Sequence, residues 1–219
     1  MRLRYTPLLA LLLFFPAISV AQDFGVMESA ETVNKGNIKL GGYPVFVFQH
    51  EAANETGLAL LVGYGLTNSI DVEGRAAIYQ NGSFFGGDLE YWLLKNRPLD
   101  LSIRGGFHFS TSDQDEGAAV DILGDSSGNT RGVDVSVIGS APVTPRLEVF
   151  GALDLAFNRF DVDDRPNTVN VDNTFTNVHL VPGIEYAVNP NLDFLSEIGI
   201  GLNDDSSNYI AVGVAYYFR

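Results

Sequence analysis

The sequence predicts an all-β chain closed into an antiparallel, up-and-down transmembrane β-barrel of about ten strands, with eight or twelve as the neighbouring solutions. Three observations lead there. Apolar and polar residues alternate with period two along most of the chain, and no long window sustains a 3.6-residue pattern. The alternating stretches are joined by connections that are short at every second junction and mostly longer in between. An apolar leader of the exported type precedes them all.

The leader carries Arg2 and Arg4, then the apolar run Leu8 to Val20, then Ser19-Val20-Ala21 ahead of Gln22. Small residues before Gln22 suit cleavage after Ala21, so residues 1–21 read as a signal peptide and 22–219 as a single barrel domain. Pro16 interrupts the run, which falls short of the roughly 20 residues that span a bilayer. The sequence contains no cysteine, so neither a lipidated cysteine nor a disulfide enters the account. Cleavage removes two bases and no acid, leaving 11 basic against 27 acidic residues and a formal charge of −16. Phosphate binding needs a basic surface, so a nucleic-acid partner is not expected.

Each strand follows from its own alternation. In Leu99 to Ser110, Leu99, Leu101, Ile103, Gly105, Phe107 and Phe109 share one face, while Asp100, Ser102, Arg104, Gly106, His108 and Ser110 share the other. Ile70 to Tyr79 and Leu147 to Asn158 divide in the same way. Further strands are expected over Asn37 to Phe48, Gly57 to Leu66, Ser83 to Leu94, Gly132 to Ser140, Asn177 to Val188, Leu192 to Leu202 and Asn208 to Phe218. Thr67-Asn68-Ser69, Lys95 to Pro98, Ala141 to Arg146 and Asn189-Pro190-Asn191 are the short connections, expected on the periplasmic side. The loops between them include His50 to Thr56, Thr111 to Thr130 and Phe160 to Thr176, with Gly117 to Gly124 as an ambiguous stretch.

Alternation alone does not say which face turns inward. A membrane barrel turns its apolar face out, and a soluble lipocalin-like barrel turns it in. Aromatics near the strand ends favour the membrane. Tyr64, Tyr91, Tyr186, Phe194, Tyr216 and Phe218 lie toward the short turns, and Phe107 and Phe109, with Phe46, Phe48, Phe85 and Phe157, toward the loops. The opposite face then lines the lumen with Lys39, Asp71, Glu73, Arg75, Asp88, Glu90, Asp100, Arg104, Asp134, Glu148, Asp154, Glu185, Asp193 and Glu197. Isolated charges cannot be left unpaired in a low-dielectric interior, so the three bases are expected to pair with several acids.

The opening Ala30-Glu31-Thr32-Val33-Asn34-Lys35-Gly36, the strand-turn-strand unit Tyr64 to Arg75 and the closing Tyr209 to Phe218 resemble small bacterial outer-membrane β-barrels of the porin-like or OmpA-like type. The resemblance implies residence in the outer membrane, contact with its lipids and lipopolysaccharide, and recognition of the last strand by the outer-membrane insertion machinery. Arg219 after the terminal aromatic Phe218 departs from that pattern.

Candidate chemistry is sparse. His108 and Ser110 lie two apart on one face, which is similar to the His-x-Ser arrangement of outer-membrane lipid A deacylases, although here the pair faces the lumen. His50 and His179 have no ligand pattern around them. The acidic stretches Asp161 to Asp164, Asp113 to Glu116 and Asp204-Asp205 match no calcium-loop template. The expectation is therefore a non-enzymatic barrel without cofactor or metal, structural or a narrow pore that prefers cations. A lipid-modifying enzyme and a soluble periplasmic binding barrel are the alternatives.

Overall fold

The computed structural model describes residues 25–48, 54–95, 98–112, 128–162 and 173–219. The leader, His50, Asp113 to Glu116, Gly117 to Gly124, Asp163 and Asp164 lie outside the described residues. Among the described residues, ten strands make up the regular structure: β1 (Ile38–Phe48), β2 (Glu55–Gly65), β3 (Ile70–Tyr79), β4 (Gly82–Leu94), β5 (Asp100–Ser112), β6 (Gly128–Thr144), β7 (Leu147–Val162), β8 (Asn173–Asn189), β9 (Leu192–Gly201) and β10 (Asn208–Phe218). Each pairs antiparallel with its chain neighbours, and β10 returns to β1 to close the barrel. No strand edge is left free, which a sheet surrounded by hydrocarbon requires.

The largest departure from the expected strands is β6, which extends beyond Gly132–Ser140 at both ends. Pro142 and Thr144 flank a register shift against β7, and a proline with no N–H to donate is tolerated at such an irregularity. Strands β7 and β8 likewise continue into the stretch read as a loop from Phe160, pairing Phe160 with Asn173. On the seam, Gly41 faces Ala215 and Val45 faces Ala211, so small residues meet where the first and last strands join.

Polarity is inverted relative to a water-soluble protein. Ile78 is 74% exposed and Phe85 61%, whereas Lys39 and Arg104 are 2% and 1% exposed. Ile38, Leu58, Leu60, Val62, Leu89, Val133, Leu153 and Ile198 continue the outward apolar surface. A patch of this extent is stable only against lipid, which excludes the soluble barrel with an apolar interior. Strands β1 and β2 add a second feature, because Tyr43, Val45, Val47, Ala59 and Leu61 on their inner faces are also buried. The inner wall is thus not uniformly charged, because this greasy stretch lies beside charges such as Lys39, Glu73 and Arg75.

Candidate functional site in the plugged lumen

Residues 25–33, ahead of β1, run through the interior. Val26, Met27, Glu28, Ser29, Ala30, Thr32 and Val33 are all buried, and Glu31 is exposed at the end of the barrel that holds the short turns. The segment is not a strand, so its backbone groups need partners from the wall. They find them in side chains. Glu197 accepts the N–H groups of Val26 at 3.2 Å and Met27 at 2.6 Å. Arg75 donates to the Gly25 carbonyl at 2.8 Å, and Arg104 donates to the carbonyls of Gly25 at 3.0 Å and Val26 at 3.1 Å. Farther down, the Ala30 N–H reaches Ser140 Oγ at 3.1 Å and the Val33 N–H reaches Asp71 Oδ2 at 2.6 Å.

Side chains complete the fit. Met27 packs into the apolar wall with Tyr43, Leu61, Leu195 and Tyr209, while Val26 and Ala30 join Ile138, Ala152 and Val181 on the other side. Two apolar contacts anchor the segment, and a charge cluster sits between them. Glu28 places Oε2 2.8 Å from Lys39 Nζ and Oε1 3.4 Å from Arg104 Nη1. Lys39 also reaches Glu73 at 3.4 Å, and Arg75 pairs with Asp88 at 2.6 Å. Arg104 lies 3.9 Å from Asp154, which Ser136 also contacts.

Backbone conformation shows how tightly the segment is held. Met27 adopts φ 45°, a region that side chains with a Cβ rarely occupy, and Gly25 adopts φ 49°. A Cβ at Gly25 would overlap Glu197 Oε1 and Tyr209 Oη, so only glycine fits there.

Of the charges expected to line the lumen, Lys39, Asp71, Glu73, Arg75, Asp88, Glu90, Asp100, Arg104, Asp134, Asp154 and Glu197 are buried, and Glu148, Glu185 and Asp193 are half-buried. Of the aromatics, Tyr64, Tyr91, Phe107, Phe109, Tyr186, Tyr216 and Phe218 stand exposed on the outer surface, and Phe194 is half-buried. Residues 25–29, Glu28 above all, were not singled out by sequence reasoning, and residues 30–33 entered it only as part of the family resemblance and not as lumen residues. Their pattern is neither period two nor helical, and their partners lie up to 171 positions away. At the mouth, partial desolvation by the neighbouring wall, together with the Glu148, Glu185 and Asp100 carboxylates, pushes the Glu31 carboxyl up to about 7.

His108 and Ser110 are both buried on the inner face. His108 shares Nε2 with Asn158 Oδ1 at 2.7 Å and stacks on Phe84 with ring centroids 5.5 Å apart. Asn158 continues to Asn177 at 2.6 Å, and Asn177 to the Asp205 carbonyl at 2.6 Å. His179 meets the Ser207 carbonyl at 3.0 Å, so this band ties the wall to the β9–β10 connection. Ser110 Oγ has no hydrogen-bond partner among the described residues, so within them no base is bonded to it. Ser110→Ala is accordingly expected to leave stability unchanged or raise it by up to about 1 kcal/mol, because it deletes an unsatisfied buried hydroxyl. Urea unfolding of the refolded barrel measures this, and a loss above that size would show that the hydroxyl is bonded.

A closed ring of ten strands, apolar outside and charged inside, defines a bacterial outer-membrane β-barrel. The chain belongs to the outer membrane protein beta-barrel domain family, whose match covers residues 40–218. The match begins inside β1, so the luminal segment 25–33 precedes it. No curated protein matches the sequence. Similar solved structures include the outer membrane protease OmpT of Escherichia coli, at 13% identity and TM-score 0.49, covering 87% of this chain and 100% of that one. The attachment invasion locus protein Ail of Yersinia pestis is 13% identical with TM-score 0.40, over 84% of this chain and 99% of its own. The N-terminal β-barrel domain of Pseudomonas aeruginosa OprF is 12% identical with TM-score 0.40, over 85% and 100%.

Proposed function

We propose that the mature chain, residues 22–219 after loss of the 1–21 leader, is a non-enzymatic outer-membrane barrel whose lumen is closed by its own N-terminal segment. The observation that carries this reading is the bonding of backbone groups at Gly25, Val26, Met27, Ala30 and Val33 to wall side chains. A ten-strand barrel is only slightly wider than one that side chains alone can fill, so a threaded segment leaves little free section. When the segment leaves, the lumen presents an excess of carboxylates and passes small cations in preference to anions. Its outer surface contacts lipid and lipopolysaccharide, and the alternating strand β10, ending in Phe218, is the segment read by the insertion machinery.

Planar-bilayer recording tests the reading. The intact mature protein is expected to be electrically silent, and deletion of residues 22–33 to produce steady, cation-preferring channels. Equal conductance from both proteins would overturn the plug, and anion preference in the deletion variant would overturn the charge argument. Heat-modifiable electrophoretic mobility reports that each variant is folded.

A further inference from the structure

Beyond the closed lumen, the mouth of the barrel contains a cluster that the charge network does not use. Glu31 of the plug, Asp100 at the start of β5 and Glu148 near the start of β7 each bring one carboxylate oxygen within 4.8 Å of the others. Asp100 faces Ser140 across β5–β6, and Glu148 faces Pro142 across β6–β7, so the two wall carboxylates flank β6. Ser140 also accepts the Ala30 N–H, which places the next residue, Glu31, over the same spot.

Carboxylates gathered in this way repel one another unless something neutralises them. Among the described residues, no lysine or arginine forms an ion pair with any of the three. The nearest charge cluster is already occupied, because Lys39 is shared by Glu28 and Glu73. An independent observation points to a ligand. Asp100 is only 4% exposed, yet its Oδ1 accepts no hydrogen bond, and Glu148 Oε1 is likewise buried and unpartnered. Buried carboxylate oxygens are costly to leave unmatched. Glu31 is exposed at the mouth, which leaves an entry path.

We propose that Glu31, Asp100 and Glu148 form a binding site for a hard divalent cation of the Ca2+ type, which ties the N-terminal segment to the barrel wall. Three carboxylates supply between three and six oxygens, and water from the mouth completes a shell of the size that Ca2+ accepts. The site rests on the position of the plug but not on whether the lumen conducts.

Calorimetric titration of the EDTA-stripped, refolded mature protein in detergent with CaCl2 tests it. The intact protein is expected to bind one Ca2+ per chain, and Glu31→Gln and Asp100→Asn each to weaken binding at least about tenfold. Asp161→Asn, at a half-exposed carboxylate paired with Arg131, is expected to leave binding unchanged. No binding to the intact protein, or equal binding by the intact protein and Glu31→Gln, overturns the site. If Asp100→Asn fails to refold, Glu31→Gln decides, since its side chain reaches the mouth. One Ca2+ lost in Glu31→Gln supports the site even when the intact protein conducts freely, an outcome that would sink the closed lumen alone. A silent intact protein without Ca2+ binding does the reverse.

Discussion

Arg104→Ala is expected to lower the unfolding free energy by about 3–5 kcal/mol, the cost of breaking a buried ion pair from one side. Arg104 is 1% exposed and holds three kinds of group at once. It donates to the carbonyls of Gly25 and Val26, bonds Ser136 Oγ, and neutralises Glu28 and Asp154. Alanine leaves two buried carboxylates short of a counter-charge and two carbonyls short of a donor. Lysine restores the charge without the planar fork, so Arg104→Lys is expected to recover only part of the loss. Arg131→Ala, at the half-exposed pair with Asp161, provides the contrast and is expected to change stability by less than about 1 kcal/mol. Urea unfolding in lipid vesicles, followed by the fluorescence of the single tryptophan, Trp92, measures all three. Equal losses for Arg104→Ala and Arg131→Ala would show that the buried network does not hold the fold.

Gly25→Leu is expected to expel the end of the plug and make the folded barrel conduct. The new Cβ would overlap Glu197 Oε1 and Tyr209 Oη, and φ 49° disfavours any residue with a side chain there. Relief comes most easily by moving the segment, because the wall is locked by its ladder of backbone hydrogen bonds. Glu197 then loses the N–H groups of Val26 and Met27, and Arg75 loses the Gly25 carbonyl. Gly36 separates conformation from space, since it has φ 82° but nothing within 4 Å of a built Cβ. Gly36→Ala is expected to cost about 1 kcal/mol and leave the protein silent. Bilayer recording distinguishes the two, and a silent, folded Gly25→Leu would show that the plug tolerates the bulk.

The barrel was legible because its signal is local. Ile103 and Arg104, or Leu153 and Asp154, are adjacent residues with opposite fates, and a strand makes that choice by its pleat alone. Strand ends were less legible, as at β6, where Pro142 hid the continuation to Thr144. The inward apolar wall was also obscured, because Tyr43, Val45 and Val47 alternate with residues that are outward-facing and equally apolar, such as Phe46 and Phe48. The candidate site was half legible. Asp100 and Glu148 follow from strand parity, but Glu31 does not, since no parity governs a segment that is not a strand.

By itself the sequence determined an exported, acidic chain of alternating strands with its charges on one face and its greasy residues on the other. Those properties follow from neighbours in the chain and from the period of a pleated strand. Only the tertiary structure decided that residues 25–33 fill the lumen, that Glu28 joins Lys39 to Arg104, and that Glu31 meets Asp100 and Glu148. The physical reason is that the plug bonds its backbone to side chains contributed by distant strands, and those strands come together only when β10 closes on β1.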